Sequence, residues 1–165
     1  MSEKILVVDD NENFLNMATL ALQRAGYQVE GALDGPTALE ILQSKGPFAV
    51  MLTDRMMPEM DGIELLRQAR QFDPDLEVII ITAVGSLPTA ITALRDGGAF
   101  DYLTKPLESV KQIPMVIERA LEHRRLRMER EALNARVQAE AEWLGSLIAN
   151  TGDAILAANA DNELT

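Results

Sequence analysis

Five residues in this chain carry side chains suited to binding and accepting a phosphoryl group, and each sits at the end of a short apolar run. Asp9 and Asp10 follow Ile5 to Val8, Asp54 follows Ala49 to Leu52, Thr82 follows Val78 to Ile81, and Lys105 lies just past Ala99 to Leu103. Carboxylates gathered in one place repel one another, so they either raise a pKa or hold a divalent cation. Hard oxygen ligands of this kind suit Mg2+, which gives up its waters reluctantly and is commonly held by one or two carboxylates together with a phosphoryl oxygen. A cation there screens the charge of an incoming phosphoryl donor and lets a carboxylate attack as a nucleophile, forming an acyl phosphate. Lys105 can pair with one phosphoryl oxygen, and Thr82 can hydrogen-bond another. Singly these residues say little: an Asp pair after a strand is more often a helix cap, and an isolated Lys-Pro is usually a loop. The chemistry requires that all five reach one edge.

The elements that must bring them there are legible in the hydrophobic pattern. The four runs above are continuous rather than alternating, which marks strands buried on both faces of a parallel sheet, and Tyr27 to Ala32 is a weaker fifth. Between them lie segments of helical spacing. Phe14, Ala18, Ala21 and Ala25 form one stripe ended by Gly26, and Ala38, Ile41 and Leu42 form the next, closed near Gly46-Pro47. Ile63, Leu66 and Ala69 form a third, and Ala90, Ala93 and Leu94 a fourth, opened by Ser86 and stopped at Gly97-Gly98. The expected fold is α/β, a doubly wound five-stranded parallel sheet with a long C-terminal helix, whose site lies beyond the carboxyl ends of the strands.

With 165 residues there is room for one ordinary domain and something smaller, and with only 4% aromatic residues the core must be filled by aliphatic side chains. A formal charge of −11 provides no overall positive field for a phosphate backbone or an anionic membrane, so nucleic acid is not an expected partner. The absence of cysteine excludes disulfides and thiolate metal sites. The start, Met1 to Lys4 leading into Ile5, is too short and too acidic for a signal peptide, and no apolar run approaches membrane-spanning length. A cytoplasmic protein is expected.

From about Ser109 the pattern becomes a helix with no stop before Asn150, with Pro114 in its first turn or kinking it. Val110, Ile113, Ile117 and Leu121 cover the sheet; beyond them the helix is too long to remain on the domain. Leu126, Leu133, Glu140 and Leu147 occupy one heptad position, and His123, Arg130, Val137 and Leu144 the other. The seam is broken by charge, and we read residues 122–149 as a parallel coiled coil joining two copies, the alternative being one amphipathic helix packed on a neighbouring domain. The chain is then expected to leave the helix at Asn150-Thr151-Gly152 and to enter a strand over Ala154 to Ala158. Residues 150–165 would thus begin a second, truncated domain.

Four blocks carry a resemblance to a known family. Val7-Val8-Asp9-Asp10, Leu52-Thr53-Asp54-Arg55-Met56-Met57-Pro58-Glu59-Met60-Asp61-Gly62, Ile81-Thr82-Ala83 and Tyr102-Leu103-Thr104-Lys105-Pro106 resemble the signature blocks of response-regulator receiver domains; the resemblance covers roughly residues 4 to 121 and implies a receiver domain over residues 1–121. The resemblance implies a flavodoxin-like strand order 2-1-3-4-5, Asp54 as the phosphoacceptor, and Mg2+ as cofactor. Asp10 would bind the metal directly, Asp9 directly or through water, with Asp54 and the backbone carbonyl of Met56 completing the protein's share of the shell. Thr82 and Lys105 would sense the phosphoryl group, Tyr102 would turn inward as Thr82 moves, and the Lys105-Pro106 bond would be cis. The phosphoryl donor would be a sensor histidine kinase or a phosphotransfer protein. The domain would be regulatory rather than an enzyme, assisting only its own phosphorylation and dephosphorylation, with the fourth helix, fifth strand and fifth helix as the responding surface.

Met56 and Val84, each two residues past a site residue, offer no side-chain hydrogen bond to an attacking water, so a long-lived phosphorylated state is expected. Leu147 to Leu156 resembles the opening of a PAS sensor domain. Two other readings are a pseudo-receiver serving only as a dimerisation scaffold, and a hydrolase of the haloacid dehalogenase kind. The hydrolase expects Asp-x-Asp on one strand, where position 56 is Met.

Overall fold

The computed structural model describes residues 2–83 and 87–162. Val84 and Ser86 lie outside the described residues, as do the side chains of Ala90 and Ala93. The chain divides into two compact units, Met1–Arg124 and Arg125–Thr165.

Five strands, β1 (Lys4–Val8), β2 (Gln28–Ala32), β3 (Val50–Asp54), β4 (Glu77–Ala83) and β5 (Asp101–Lys105), alternate with α1 (Glu12–Arg24), α2 (Gly35–Lys45), α3 (Gly62–Phe72), α4 (Leu87–Gly97) and α5 (Gln112–Asn162). All strand pairs are parallel, and the sheet order is β2-β1-β3-β4-β5. The continuous apolar runs are explained by burial on both faces. Ile5, Val7, Val50, Leu52, Ile79 and Ile81 face α1 and the start of α5, meeting Leu15, Ala18, Leu22, Ile113, Val116, Ile117 and Ala120. Their neighbours Leu6, Val8, Met51, Val78 and Ile80 face the other layer, with Ala38, Leu65, Leu66 and Ala69. Burying each large aliphatic side chain contributes about 1.5–3 kcal/mol, so the two layers hold the sheet and its strand ends in place.

The helices start where a side chain can satisfy their first free N–H groups. Asn11 accepts from the Phe14 N–H at 3.1 Å, Asp34 from Thr37 at 2.7 Å, and Asp61 from both Ile63 and Glu64. Pro114 lies in the first turn of α5, where its missing N–H costs no helical hydrogen bond.

Three expectations need correction. The fully buried stripe of α1 is Leu15, Ala18 and Leu22; of the expected stripe Ala18 is buried, Phe14 and Ala21 are half-buried beside it, and Ala25 is the exposed C-cap. Centring the buried face on Leu15 and Leu22 rather than on Ala21 and Ala25 buries more apolar area. β5 begins at Asp101, so Ala99 and Phe100 precede the strand. At the C-terminus no strand forms over Ala154 to Ala158: α5 continues without leaving at Asn150-Gly152 and runs to Asn162. A helix satisfies its backbone hydrogen bonds internally, whereas an isolated strand without a partner cannot.

His123, placed in the heptad seam by spacing, is engaged by the sheet and the segment before β5 instead. Its Nδ1 lies 3.2 Å from the buried Glu77 carboxylate, and its ring packs on Phe100 at 5.0 Å between centroids. Past Arg125 the helix exposes Leu126, Leu133, Val137, Leu144 and Leu147. Among the described residues no helix is long and apolar enough to cross a membrane.

Candidate functional site

The strand register brings the chemistry-bearing residues to one edge. Val8 pairs with Thr53, Asp54 with Ile81, Thr82 with Thr104, and Ala83 with Lys105, so Asp9 and Asp54 emerge level at the carboxyl end of the sheet, with Thr82 one residue and Lys105 two residues further along. Asp9 immediately follows β1 and is fully buried, Asp10 is exposed beside it, and Asp54 ends β3 with its side chain 14% exposed. Each of the three offers a carboxylate oxygen within 4.8 Å of the others.

Lys105 holds this cluster together. Its Nζ donates to Asp9 Oδ2 at 2.6 Å and lies 3.7 Å from Asp54 Oδ2. The other Asp9 oxygen accepts the Asn11 N–H at 2.8 Å, so both oxygens of the buried carboxylate are engaged. The Lys105 ammonium also lies 4.2 Å from the centre of the Phe14 ring, an attraction that fixes its approach from that side.

Burial pushes the Asp54 carboxyl from its ordinary value of 3.8 up to about 6; Lys105 pulls it down, and the charges of Asp9 and Asp10 push it up again. The shift comes first from desolvation and then from the neighbouring carboxylates, and both are effects that a divalent cation at the cluster would offset. The donor set, three carboxylates, fits a hard cation.

The backbone after Asp54 is shaped by Gly62. A Cβ at this position would collide with the Asp54 carbonyl oxygen and press on Arg55 Cα, while the Gly62 N–H donates to the Arg55 carbonyl at 2.9 Å. The loop therefore folds back against the end of β3, with Glu59 in the left-handed region at φ 67°. The Met56 side chain is 65% exposed and points out of the cluster.

Other expected members stand slightly apart. Thr82 is buried, and its hydroxyl donates to the Ala83 carbonyl at 3.4 Å rather than to Asp54. Tyr102 is half-buried and packs against the layer that holds α2 and α3. The Lys105-Pro106 peptide bond is cis.

Sequence reasoning misses three supporting residues: Phe14, Asn11 and the tight contact of Gly62. Spacing assigns Phe14 to a helix stripe, and nothing in it signals a neighbour far along the chain. Gly62 has a visible signal, a glycine at a helix start just after the loop that follows Asp54.

The chain matches the response regulator receiver domain family over residues 5–117. It is 34% identical over 148 residues to the regulatory protein AtoC of Escherichia coli (strain K12), covering 90% of this chain and 31% of that protein. It is 39% identical over 145 residues to the C4-dicarboxylate transport transcriptional regulatory protein DctD of Pseudomonas aeruginosa, covering 88% of this chain and 31% of that one. The chain thus spans about a third of the length of these curated relatives. The crystal structure of a response regulator receiver domain protein from Clostridium thermocellum superposes with a TM-score of 0.69 at 32% identity, covering 75% of this chain and 98% of that one.

Proposed function

This chain belongs to the response regulator receiver domain family of two-component signalling, and on that premise we propose that Asp54 is its phosphoacceptor. The observation that carries the reading is the convergence of Asp9, Asp10 and Asp54 within 4.8 Å, with Lys105 bonded into the same cluster. In the proposed step an Asp54 carboxylate oxygen attacks the phosphorus of a phosphohistidine on a sensor histidine kinase or phosphotransfer protein. The new bond is O–P; the N–P bond breaks, and the imidazole leaves with its electron pair and takes a proton from solvent.

Asp9, Asp10, Asp54 and the Met56 carbonyl are the groups that would hold Mg2+, whose charge would offset that of the transferring phosphoryl group. Lys105 is the cation within reach of a phosphoryl oxygen on Asp54, already 3.7 Å from its carboxylate. Thr82, on the adjoining strand end, would donate a second hydrogen bond once its hydroxyl turns from the Ala83 carbonyl. Tyr102 would follow that movement. We assign the relay to α4, β5 and α5, and the output to a domain beyond this chain, reached through the helix of residues 122–149 in a homodimer. Both relatives named above are regulatory proteins of greater length, and our proposal for the adjoining domain here is a PAS module that begins within 150–165 and is entered on a helix. The receiver domain itself is regulatory and cytoplasmic in this reading.

The test is intact-protein mass spectrometry after incubation with a small phosphoryl donor, with and without Mg2+, on wild type and Asp54→Asn. A single Mg2+-dependent phosphoryl addition, absent from the variant, is expected. No addition, under conditions that label a control receiver, would transfer the assignment to the scaffold reading.

A further inference from the structure

Beyond Arg125, α5 exposes a row of large apolar side chains in one heptad seam: Leu126 at 52%, Leu133 at 53%, Val137 at 65% and Leu144 at 52% exposed. An apolar row of this length on a lone helix is an interaction surface. Two charges interrupt it, Arg130 at the same heptad position as Val137 and Leu144, and Glu140 at the same position as Leu126 and Leu133. The placement of these charges decides how the seam can pair.

In a parallel pair every residue meets its own copy. Arg130 would face Arg130 and Glu140 would face Glu140, placing two like-charged layers inside one short seam, each of them unfavourable. In an antiparallel pair the two heptad positions face each other across the interface. Read in reverse, the row Leu126, Arg130, Leu133, Val137, Glu140, Leu144 becomes Leu, Glu, Val, Leu, Arg, Leu. Laid against the forward row about a centre at Ala135, Leu126 meets Leu144, Arg130 meets Glu140, and Leu133 meets Val137, each layer occurring twice. A shift of one heptad in either direction separates Arg130 from Glu140. The seam is therefore complementary to itself in one orientation and one register, the condition for a two-fold symmetric interface between identical copies.

We propose that residues 126–144 of α5 pair with a second copy of this chain as an antiparallel coiled coil centred on Ala135, in which Arg130 of each copy faces Glu140 of the other. This reverses the parallel orientation that heptad spacing alone suggests, because spacing records only where the apolar residues fall. His123 lies outside the pairing segment, consistent with its engagement by Glu77 and Phe100. The proposal does not depend on phosphotransfer and holds for the unphosphorylated chain.

The chain contains no cysteine, so introduced thiols report cleanly. Leu126→Cys and Leu144→Cys are made separately, and each is oxidised alone and after mixing and re-equilibration. In the antiparallel pair the two positions meet, whereas each is about 27 Å along the axis from its own copy at 1.5 Å per residue. The mixture is expected to yield a 126–144 crosslinked dimer, and neither variant alone should crosslink. Charge exchange supplies a second readout by sedimentation: Arg130→Glu alone weakens dimerisation by about tenfold or more, and Arg130→Glu with Glu140→Arg restores it. Crosslinking of Leu126→Cys to itself, dimerisation indifferent to all these charge changes, or a monomer at several hundred micromolar chain would each overturn the proposal.

Discussion

Replacing Asp54 by Asn is expected to make the metal-free protein more stable, and by an amount that depends on pH. The folded state holds the Asp54 proton up to about pH 6, whereas the unfolded chain releases it near the ordinary value of 3.8. Between those values the folded protein binds more protons than the unfolded one, so the carboxylate lowers stability progressively as pH rises, and the full penalty is present above about pH 6. The shift is about two pH units, and at about 1.36 kcal/mol per unit the upper bound is about 3 kcal/mol. Asp54 lies at the mouth of the cluster, where solvent screens part of that repulsion, so a gain of about 1–2 kcal/mol is expected at pH 7.5. Asn matches Asp in shape, so little packing is lost. Urea unfolding of both proteins in EDTA at pH 4.0 and pH 7.5 provides the assay: the variant should be the more stable at pH 7.5, with the difference shrinking toward zero at pH 4.0. Adding millimolar Mg2+ at pH 7.5 should raise wild type and narrow the gap. Equal stability at pH 7.5 in EDTA, or a gap that does not change with pH, would refute the claim that burial beside two other carboxylates penalises the ionised Asp54 side chain.

Gly62→Ala should cost about 1–3 kcal/mol and slow phosphorylation, because the added methyl meets the Asp54 carbonyl and Arg55 Cα rather than a yielding side chain; thermal denaturation and acceptor labelling check it. Lys105→Ala should bind Mg2+ several-fold more tightly by calorimetry, since the ammonium that now bonds Asp9 Oδ2 at 2.6 Å competes with a cation for the same oxygen; unchanged or weaker binding would count against that competition. Phosphoryl loss from the isolated phosphoprotein should be slow, and Met56→Asn should accelerate it by roughly tenfold by giving the attacking water a hydrogen-bond partner, read as the decay of the phosphorylated mass.

Much of this molecule is local information written along the chain. Ile5 to Val8, Ala49 to Leu52 and Val78 to Ile81 are apolar on both faces because both faces are covered, so the pattern alone implies a parallel sheet between helices, and the site residues at their ends imply an edge site. The positions of Asn11, Asp34 and Asp61 as helix caps are equally local, each depending on a backbone N–H two or three residues away. Where the pattern misleads, the deciding partner is remote. The face that α1 buries depends on which rotation seats Leu15 and Leu22 on the sheet, and His123 leaves the seam because Glu77 and Phe100, far back in the chain, are within its reach. Over Ala154 to Ala158 the expected strand is a continuation of α5, whose backbone hydrogen bonds are satisfied within the helix itself.

The residue types at Asp9, Asp10, Asp54, Thr82 and Lys105, read together at the ends of their apolar runs, were enough to point to one edge site suited to a divalent cation and a phosphoryl group. Only the tertiary structure decided that Lys105 bonds Asp9 more closely than Asp54, that Thr82 turns toward Ala83, and that Asp54 holds its proton to about pH 6. Distance and desolvation set those properties. Both depend on how the sheet ends pack together, which spacing along one chain does not encode.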